Sequence, residues 1–414
     1  WRGLCWECGC VVRLFQNQLP GSLYSYMKFI GFNQLSFAEW NNIVCNSEDG
    51  WAFSLAEWLE MVTPVWGMQN VSFAVYENGK LVAVMPLHWY PTQERLSSGG
   101  WGHGGPVIVA KDRQRIWRAC WAQAYAIAEE LGTTRITASI SPICQSSLNN
   151  RWGVNPLAEV EFNDTSTHTR IINLSPSVEQ LWFSLTKDAR QKVRQARSLG
   201  YTAQHCFWKD FVDEYYRVHV ETYQRTGVQP HPKAYFEGIA SQPVEYHVLW
   251  CGFDKNGNPV AFHNDARFRM TSLYHTGCSE TSHLKSGINY LLFWEAIMGA
   301  KADGCLWYET GEAFPAARAG KDKGLTDFKG KFGGELHRVF RGERPVDARL
   351  SETDKLTPAL TSAAQPSDSK TILHNWLNAS RDLSQVIFGE KFTGMIKKLL
   401  LGVIHLMEKS DNGR

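Results

Sequence analysis

Apolar and polar residues alternate along Val71-Ser-Phe-Ala-Val-Tyr76, break at Glu77-Asn78-Gly79-Lys80 and resume in Leu81-Val-Ala-Val-Met85. This pattern predicts a β-hairpin closed by an Asn-Gly turn. A Gly-rich stretch from Ser97 to Gly105 follows, then helical sequence from about Asp112 to Leu131 stopped by Gly132, then a strand over 134–140. The same order returns later: strand 245–250, a turn at Asp254 to Asn258, return strand 259–262, strand 271–275, a helix over 287–302 ended by Asp303-Gly304, and strand 305–308. The turn asparagines (78 and 256) are 178 residues apart and the helix-ending glycines (132 and 304) 172. A near-constant offset over successive elements is the signature of a duplicated module. Helical sequence over 53–62 and 211–225 precedes the two hairpins. The predicted fold class is α+β (mixed α/β): two tandem lobes, each a mixed, mostly antiparallel sheet flanked by helices.

The expected boundaries are a leader over 1–34, a first lobe over 35–170, a second lobe over 171–350 that carries the site, a linker over 351–370 and a helical tail over 371–414. Residues 163–176 are expected to join the lobes. The linker is rich in Ser, Thr, Ala, Pro and Asp. In the tail, Phe392, Met395, Ile396, Leu399, Val403 and Leu406 recur at helical spacing beside Lys391, Lys397 and Lys398. Such a helix either docks back on the protein or makes a peripheral contact with an anionic membrane surface through 390–410.

Composition narrows the class. The 414 residues carry 43 Lys+Arg against 41 Asp+Glu, so net charge gives no argument for nucleic-acid binding. A hydrophobic content of 43% excludes wholesale disorder. Ten cysteines over this length are too sparse for a disulfide scaffold. No apolar run approaches the ~20 residues of a membrane span. The expected location is cytoplasmic, with peripheral contact at the inner membrane surface as an extension. Cys5, Cys8 and Cys10 make at most half of a zinc site, and no metal is expected. A phosphate-loop Gly-Lys-Ser/Thr, a paired-His zinc motif and a Gly-x-Ser-x-Gly elbow are all missing, which argues against NTPases, metalloproteases and α/β-hydrolases.

Four features carry candidate chemistry. A capping box at Ser177 to Gln180 opens a helix expected to run to Leu199, on which Lys187, Arg190, Arg194 and Arg197 share a face. The stripe is either a solvated face or a phosphate grip. Ser282 to Asn289, with Lys285, Ser286 and Gly287 ahead of a helix, is a candidate anion site at a helix N-terminus. In Asp327 to Glu335, Phe328 and Phe332 alternate with Lys329 and Lys331, which predicts a strand with both lysines on one side; Lys329 then projects into a cleft to meet a phosphate or a developing oxyanion. Glu309, at the end of the last strand in Tyr308-Glu-Thr-Gly311, is a candidate proton acceptor. His275 and His283 lie near the proposed cleft and read as structural.

These residues resemble those of FemAB-like proteins and related tandem GNAT-fold acyltransferases. Leu181 to Gly200 is similar to the basic helix that opens their second domain, Gly287 to Ile297 to their "leu–leu–x–trp–glu–ala–ile" helix, and Phe328-Lys329-Gly-Lys331-Phe332-Gly333 to their "phe–lys–x–x–phe–gly" motif. The resemblance covers roughly residues 35–345. It implies two GNAT-like lobes and acyl transfer to an amine, as in the building of cell-wall peptidoglycan bridges or other envelope polysaccharides. It implies Lys329 as the oxyanion or phosphate contact, Tyr274 on a strand facing the cleft, and Arg190, Arg194, Lys285, Ser286, Gly287, Asn289, Phe328 and Lys331 as donor- or substrate-binding residues. No cofactor is held tightly; the co-substrate is acyl-CoA or aminoacyl-tRNA, and the partner is an amine-bearing envelope precursor or small molecule. No long helical hairpin interrupts the second lobe, and the GNAT pyrophosphate pattern survives only as His283-Leu-Lys-Ser286-Gly287, so the donor is left open. The alternatives are a nucleotide- or tRNA-binding module without chemistry and a scaffold for envelope enzymes.

Overall fold

The computed structural model describes residues 27–346 except 100, 101, 151 and 152; the leader cysteines, the linker and the amphipathic tail lie outside the described residues. The first lobe comprises β1 (Met27–Gly31), α1 (Phe37–Asn46), α2 (Ala56–Val65), β2 (Gln69–Asn70), β3 (Phe73–Glu77), β4 (Lys80–Met85), β5 (His88–Tyr90), β6 (Arg95–Ser98), β7 (Val107–Ile108), α3 (Arg113–Glu130), β8 (Arg135–Ser139), α4 (Gln145–Asn149) and β9 (Asn163–Asp164). The second comprises β10 (Thr167–Asn173), α5 (Val178–Ser184), α6 (Lys187–Ser198), β11 (Thr202–Cys206), α7 (Trp208–Thr226), α8 (Lys233–Ser241), β12 (His247–Phe253), β13 (Pro259–Phe268), β14 (Thr271–Ser279), α9 (Ile288–Ala302), β15 (Trp307–Ala313), α10 (Gly320–Gly330) and β16 (Glu335–Val339). β17 (Arg341–Pro345) then returns to the first lobe.

Local chemistry explains most of these elements. Asn78 and Gly79 both take positive φ in the β3–β4 turn, as the right-handed twist of a two-residue hairpin requires. Asp254 shapes the β12–β13 turn by accepting from the amides of Asn256 and Asn258, both at 2.9 Å. Asp112 caps α3, and Ser36 with Glu39 forms a capping box on α1.

The lobes build on the predicted mixed α+β plan. The second-lobe sheet runs β11-β12-β13-β14-β15-β10-β16, antiparallel except for β14–β15. The first lobe divides the equivalent surface into β1-β3-β4-β7 and β2-β5-β6-β8-β17-β9. Residues 163–176, expected as a connector, instead hold β10, a strand flanked on both sides. Its Ile171 and Ile172 are buried, and that apolar pair is what pulls it into the sheet. The expected 170/171 division thus falls inside a strand. The chain crosses between sheets at two adjacent places, around Thr165 and at Phe340, where Thr165 N donates to Arg341 O at 3.1 Å and the Asn155 amide donates to the same carbonyl at 2.8 Å.

One apolar cluster runs through both lobes, joining Trp40, Phe53, Trp58 and Leu59 to Tyr215, Tyr235, Phe236 and Phe262. A second packs α3 on the first-lobe sheet, and a third packs α6 and α9 on the second. Continuous burial of large aromatics makes one rigid body of the two lobes.

Candidate functional site

The site grows from a defect in the second-lobe sheet. β14 and β15 pair in parallel only over Thr271–Leu273 and Trp307–Glu309. Beyond that, β14 follows β13 to Ser279 and β15 follows β10 to Ala313. Both flanking ladders are irregular where the strands part. β14 bulges at His275, between the Tyr274 and Thr276 pairings, and the β10–β15 register shifts between Thr169 and Ile171. A bulge bends its strand and adds twist, which is how a pair is driven open. Tyr274 to Gly277 are accordingly half-exposed in mid-sheet, whereas Val260 to Phe268 of the neighbouring strand are buried.

Into this gap α10 delivers Lys329. The stretch expected as a strand is the end of a helix and the turn after it: Phe328 is on α10, Phe332 lies in the turn beyond Gly330, and Lys323–Asp327 is an i,i+4 ion pair at 2.5 Å. Lys329 is 7% exposed, and its ammonium donates to Glu312 O at 2.7 Å and lies 5.9 Å from the centre of the Tyr274 ring. Gly311 makes room for it. Its φ is +77°, and a Cβ there would stand 3.1 Å from Lys329 Nζ and 3.2 Å from Tyr274 O.

Glu309 completes the pair. It is 2% exposed, and its Oε2 has no hydrogen-bond partner. Burial pushes its carboxyl up to about 7, opposed by a hydrogen bond from Thr169 and by the charges of Lys329 and Arg341. Burial likewise brings Lys329 down to about 8 against the pull of Glu309 and Glu312. Two opposite charges are thus moved toward neutral pH from both sides, the arrangement that proton transfer at pH 7–8 requires. Sequence reasoning missed Thr169, Glu312 and Arg341, the last ion-paired to Glu312 at 2.9 Å. The alternation of Thr167 to Ile171 was the available signal for the strand that presents Thr169.

Lys329, Glu309 and Tyr274 are therefore brought together. Phe328 lies beside them in an aromatic wall with Tyr290, Phe293 and Phe332 at 5.0–5.7 Å. Lys331 is tied to Asp188 at 2.6 Å and to the Tyr290 hydroxyl at 2.9 Å, joining α10 to α6 and α9. The remaining candidates lie apart. The helix expected to run unbroken from Val178 to Leu199 is broken at Leu185, because Thr186 caps a new helix, α6. Arg190 turns back onto the carbonyls of Phe183 and Leu185, and Arg194 lies 5.4 Å from the Trp182 ring centre, so their partners are on α5 and not in the gap.

At the start of α9, the Ser286 hydroxyl accepts from Ile288 N at 3.1 Å and donates to His283 O at 2.7 Å. Gly287, with φ +92°, abuts Lys192 O so closely that a Cβ would sit 2.4 Å from it. These residues seat α9 on α6, with Lys285 exposed at the rim and its carbonyl accepting from the Gln195 side chain at 3.1 Å. Asn289 donates to the Ser279 hydroxyl at 3.1 Å, tying α9 to the end of β14. Beneath the gap, His263 and the Tyr308 hydroxyl converge on Asp265 Oδ1 at 2.8 and 2.6 Å, all three fully buried; His263 faces Tyr274 at 4.4 Å between ring centres. Among the described residues no His/Cys/Asp/Glu group could hold a metal, and no helix is long and apolar enough to cross a membrane.

Comparison with known proteins bears on the fold. Residues 184–330 match the acetyltransferase (GNAT) domain family. The crystal structure of FemX superposes with a TM-score of 0.59 at 15% identity, covering 77% of this chain and 97% of FemX. The C-terminal DUF2156 domain of an Agrobacterium fabrum protein assigned as a lysylphosphatidylglycerol synthetase superposes at 0.52, again with 15% identity, covering 75% of this chain and 91% of that domain. No protein of curated function matches in sequence. Residues 184–330 thus resemble an acetyltransferase (GNAT) domain, and the chain shares the fold of FemX.

Proposed function

We propose that the protein is an N-acyltransferase whose reaction runs in the gap between β14 and β15. The observation that carries this reading is that Lys329 and Glu309 are both buried where β14 and β15 part, each within reach of the other's charge. An acyl carrier enters between the strands, a neutral amine attacks the acyl carbon, and the C–N bond forms as the carrier's C–S or C–O bond breaks. No enzyme nucleophile is needed; positioning, a proton acceptor and charge at the oxyanion suffice. Glu309, with one carboxylate oxygen unpartnered, takes the proton released by nitrogen and passes it to solvent. Lys329 supplies positive charge to the developing oxyanion, and the carrier leaves with a proton from solvent. Tyr274 forms the wall against which the acyl group rests. The acceptor is an amine-bearing envelope precursor or small molecule, and the donor is acyl-CoA or aminoacyl-tRNA. The FemX-like fold is compatible with either donor class, and the GNAT domain match favours the thioester.

The test is a thermal-shift screen of the full chain with CoA thioesters, UDP-muramyl-peptides and tRNA, followed by mass analysis of amine acceptors incubated with whichever donor binds. A true donor raises the melting temperature by mass action, and an amide product then appears. A chain that binds none of the three and acylates no amine is not the enzyme proposed. Steeply salt-dependent tRNA binding without any acylated product would instead indicate the non-catalytic binding module.

A further inference from the structure

On the outer side of α5 and α6, apolar side chains stand in solvent among arginines. Phe183 is 71% exposed and Val178 48%. Together with Glu179, Trp182, Arg197 and Trp294 they line an open groove of about 410 Å³. Trp182 meets Trp294 edge-on at 5.0 Å, and the guanidinium groups of Arg190 and Arg194 lie 5.8 and 5.4 Å from the rings of Phe183 and Trp182. The patch is thus one contiguous surface of aromatic and cationic groups. Of its acids, Glu295 pairs with Arg197 at 2.6 Å and Asp188 with Lys331 at 2.6 Å, while Glu179 stands exposed in the groove against the charges of Arg190 and Arg194, unpaired among the described residues.

Two physical facts select the occupant. Phe183 and Val178 are not exposed singly but are contiguous with Trp182 and Trp294, and a contiguous apolar patch of this kind marks a surface that something covers. The arginines, meanwhile, are poorly set for reading phosphates one by one, because Arg190 is spent on backbone carbonyls and Arg194 on an indole face. A lipid surface needs no fork geometry. It needs positive charge near the headgroup plane and aromatic or aliphatic groups that sink into the boundary. We propose that the α5–α6 face docks on an anionic phospholipid bilayer, with Phe183, Val178 and Trp182 entering the headgroup region and the 190/194/197 arginines above it. This inference stands on the patch alone and is independent of the acyl-transfer reading.

The experiment is co-sedimentation of the full chain with vesicles of phosphatidylcholine alone and with equimolar phosphatidylcholine and phosphatidylglycerol. Binding to the anionic vesicles only, weakened by salt, is expected. Phe183→Ser lowers the partition coefficient about tenfold without changing the melting temperature, since the side chain is already exposed. Arg194→Gln lowers it about fivefold. Three results would overturn the proposal. One is no preference for anionic vesicles, or no binding to either. Another is undiminished binding by both variants, which moves the contact to another part of the chain. The third is loss of binding to a single-stranded oligonucleotide in both variants with vesicle binding untouched, which makes the face a nucleic-acid surface.

Discussion

The two lobes share one plan and differ at one place. In the second lobe, β14 is a single bulged strand that leaves β15 after three paired residues, and the space between them receives Lys329. In the first lobe the equivalent strand is broken in two, β6 and β7, with the Gly-rich stretch between them. The described end of that stretch, His103 to Gly105, turns into the corresponding space. Gly104 bridges to Ile140 and donates to Ser139 O at 2.7 Å, Gly105 N donates to the Ser98 hydroxyl at 2.8 Å, and His103 meets the Ser139 hydroxyl at 3.0 Å. One gap is filled by the protein's own backbone, and the other receives the Lys329 side chain and is lined with ionisable groups. The repeated plan therefore parts its strands in both lobes, and one copy fills the gap with backbone while the other fills it with a charged side chain. The acetyltransferase match over 184–330 falls on the second copy.

The comparison breaks most sharply on Lys329→Ala. Removal of a charge aimed at an oxyanion is expected to lower kcat/KM about 10²–10³-fold. Ser98→Ala in the plugged lobe deprives Gly105 N of its buried acceptor. It is expected to cost about 1–3 kcal/mol of stability in denaturant titration and to leave kcat unchanged. If Lys329→Ala turns over normally, or Ser98→Ala abolishes turnover at an unchanged melting temperature, the assignment of the two copies is reversed.

A smaller effect is expected at Gly311, where alanine meets a left-handed backbone and the Lys329 ammonium. Gly311→Ala should cost about 1–2 kcal/mol in unfolding experiments and lower kcat, while Gly79→Ala in the first-lobe hairpin, where a Cβ meets nothing, shows the backbone cost alone.

The pH dependence sharpens the contrast further. The second-lobe pair predicts a bell-shaped kcat/KM with limbs near 7 and 8, as Glu309 must be ionised and Lys329 protonated. Glu309→Gln should abolish the acidic limb together with most activity. For stability the signs run oppositely. Glu309 is raised, so its burial weakens the fold as pH climbs from its ordinary 4.5 through about 7. Lys329 is lowered, so its burial weakens the fold as pH falls from 10.5 through about 8.

A stability slope of its own belongs to the seam between lobes. There Trp58 stacks on His247 at 5.2 Å and Phe53 lies 4.9 Å from His275. Burial lowers His247 and His103 to about 3 and His231 to about 4. The unfolded chain binds protons that the folded one refuses, so stability drops as pH falls below 6.5. Each histidine contributes about 1.4 kcal/mol per pH unit down to its folded value. A melting temperature flat between pH 6.5 and 4.5 would show that the seam is not dry.

Much of the fold was legible. The Asn-Gly turn, the glycine stops and the repeated hairpin–helix–strand order are local signals, and each maps to an observed element. The misplaced pieces share a cause. β10 reads as a connector because its polar Thr167 to Arg170 half hides the Ile171-Ile172 pair, and only pairing with β15 and β16 shows what that half is for. The Lys329 segment alternates like a strand, yet two Phe four apart suit a helix equally, and the pattern alone does not choose. The arginine stripe is real as a helical face, but its partners, Phe183 and Leu185 carbonyls and the Trp182 ring, follow from the helix break at Thr186.

Sequence by itself determined the duplication, the mixed architecture and the residue types at the centre, because turn, cap and periodicity preferences act within a few positions. Only the tertiary structure decided which copy takes the lysine and which charges lie within reach of one another. Glu309 and Lys329 are 20 residues apart, Thr169 and Arg341 arrive from strands that cross between sheets, and the shift of both pair members toward neutral pH comes from burial that no linear pattern encodes.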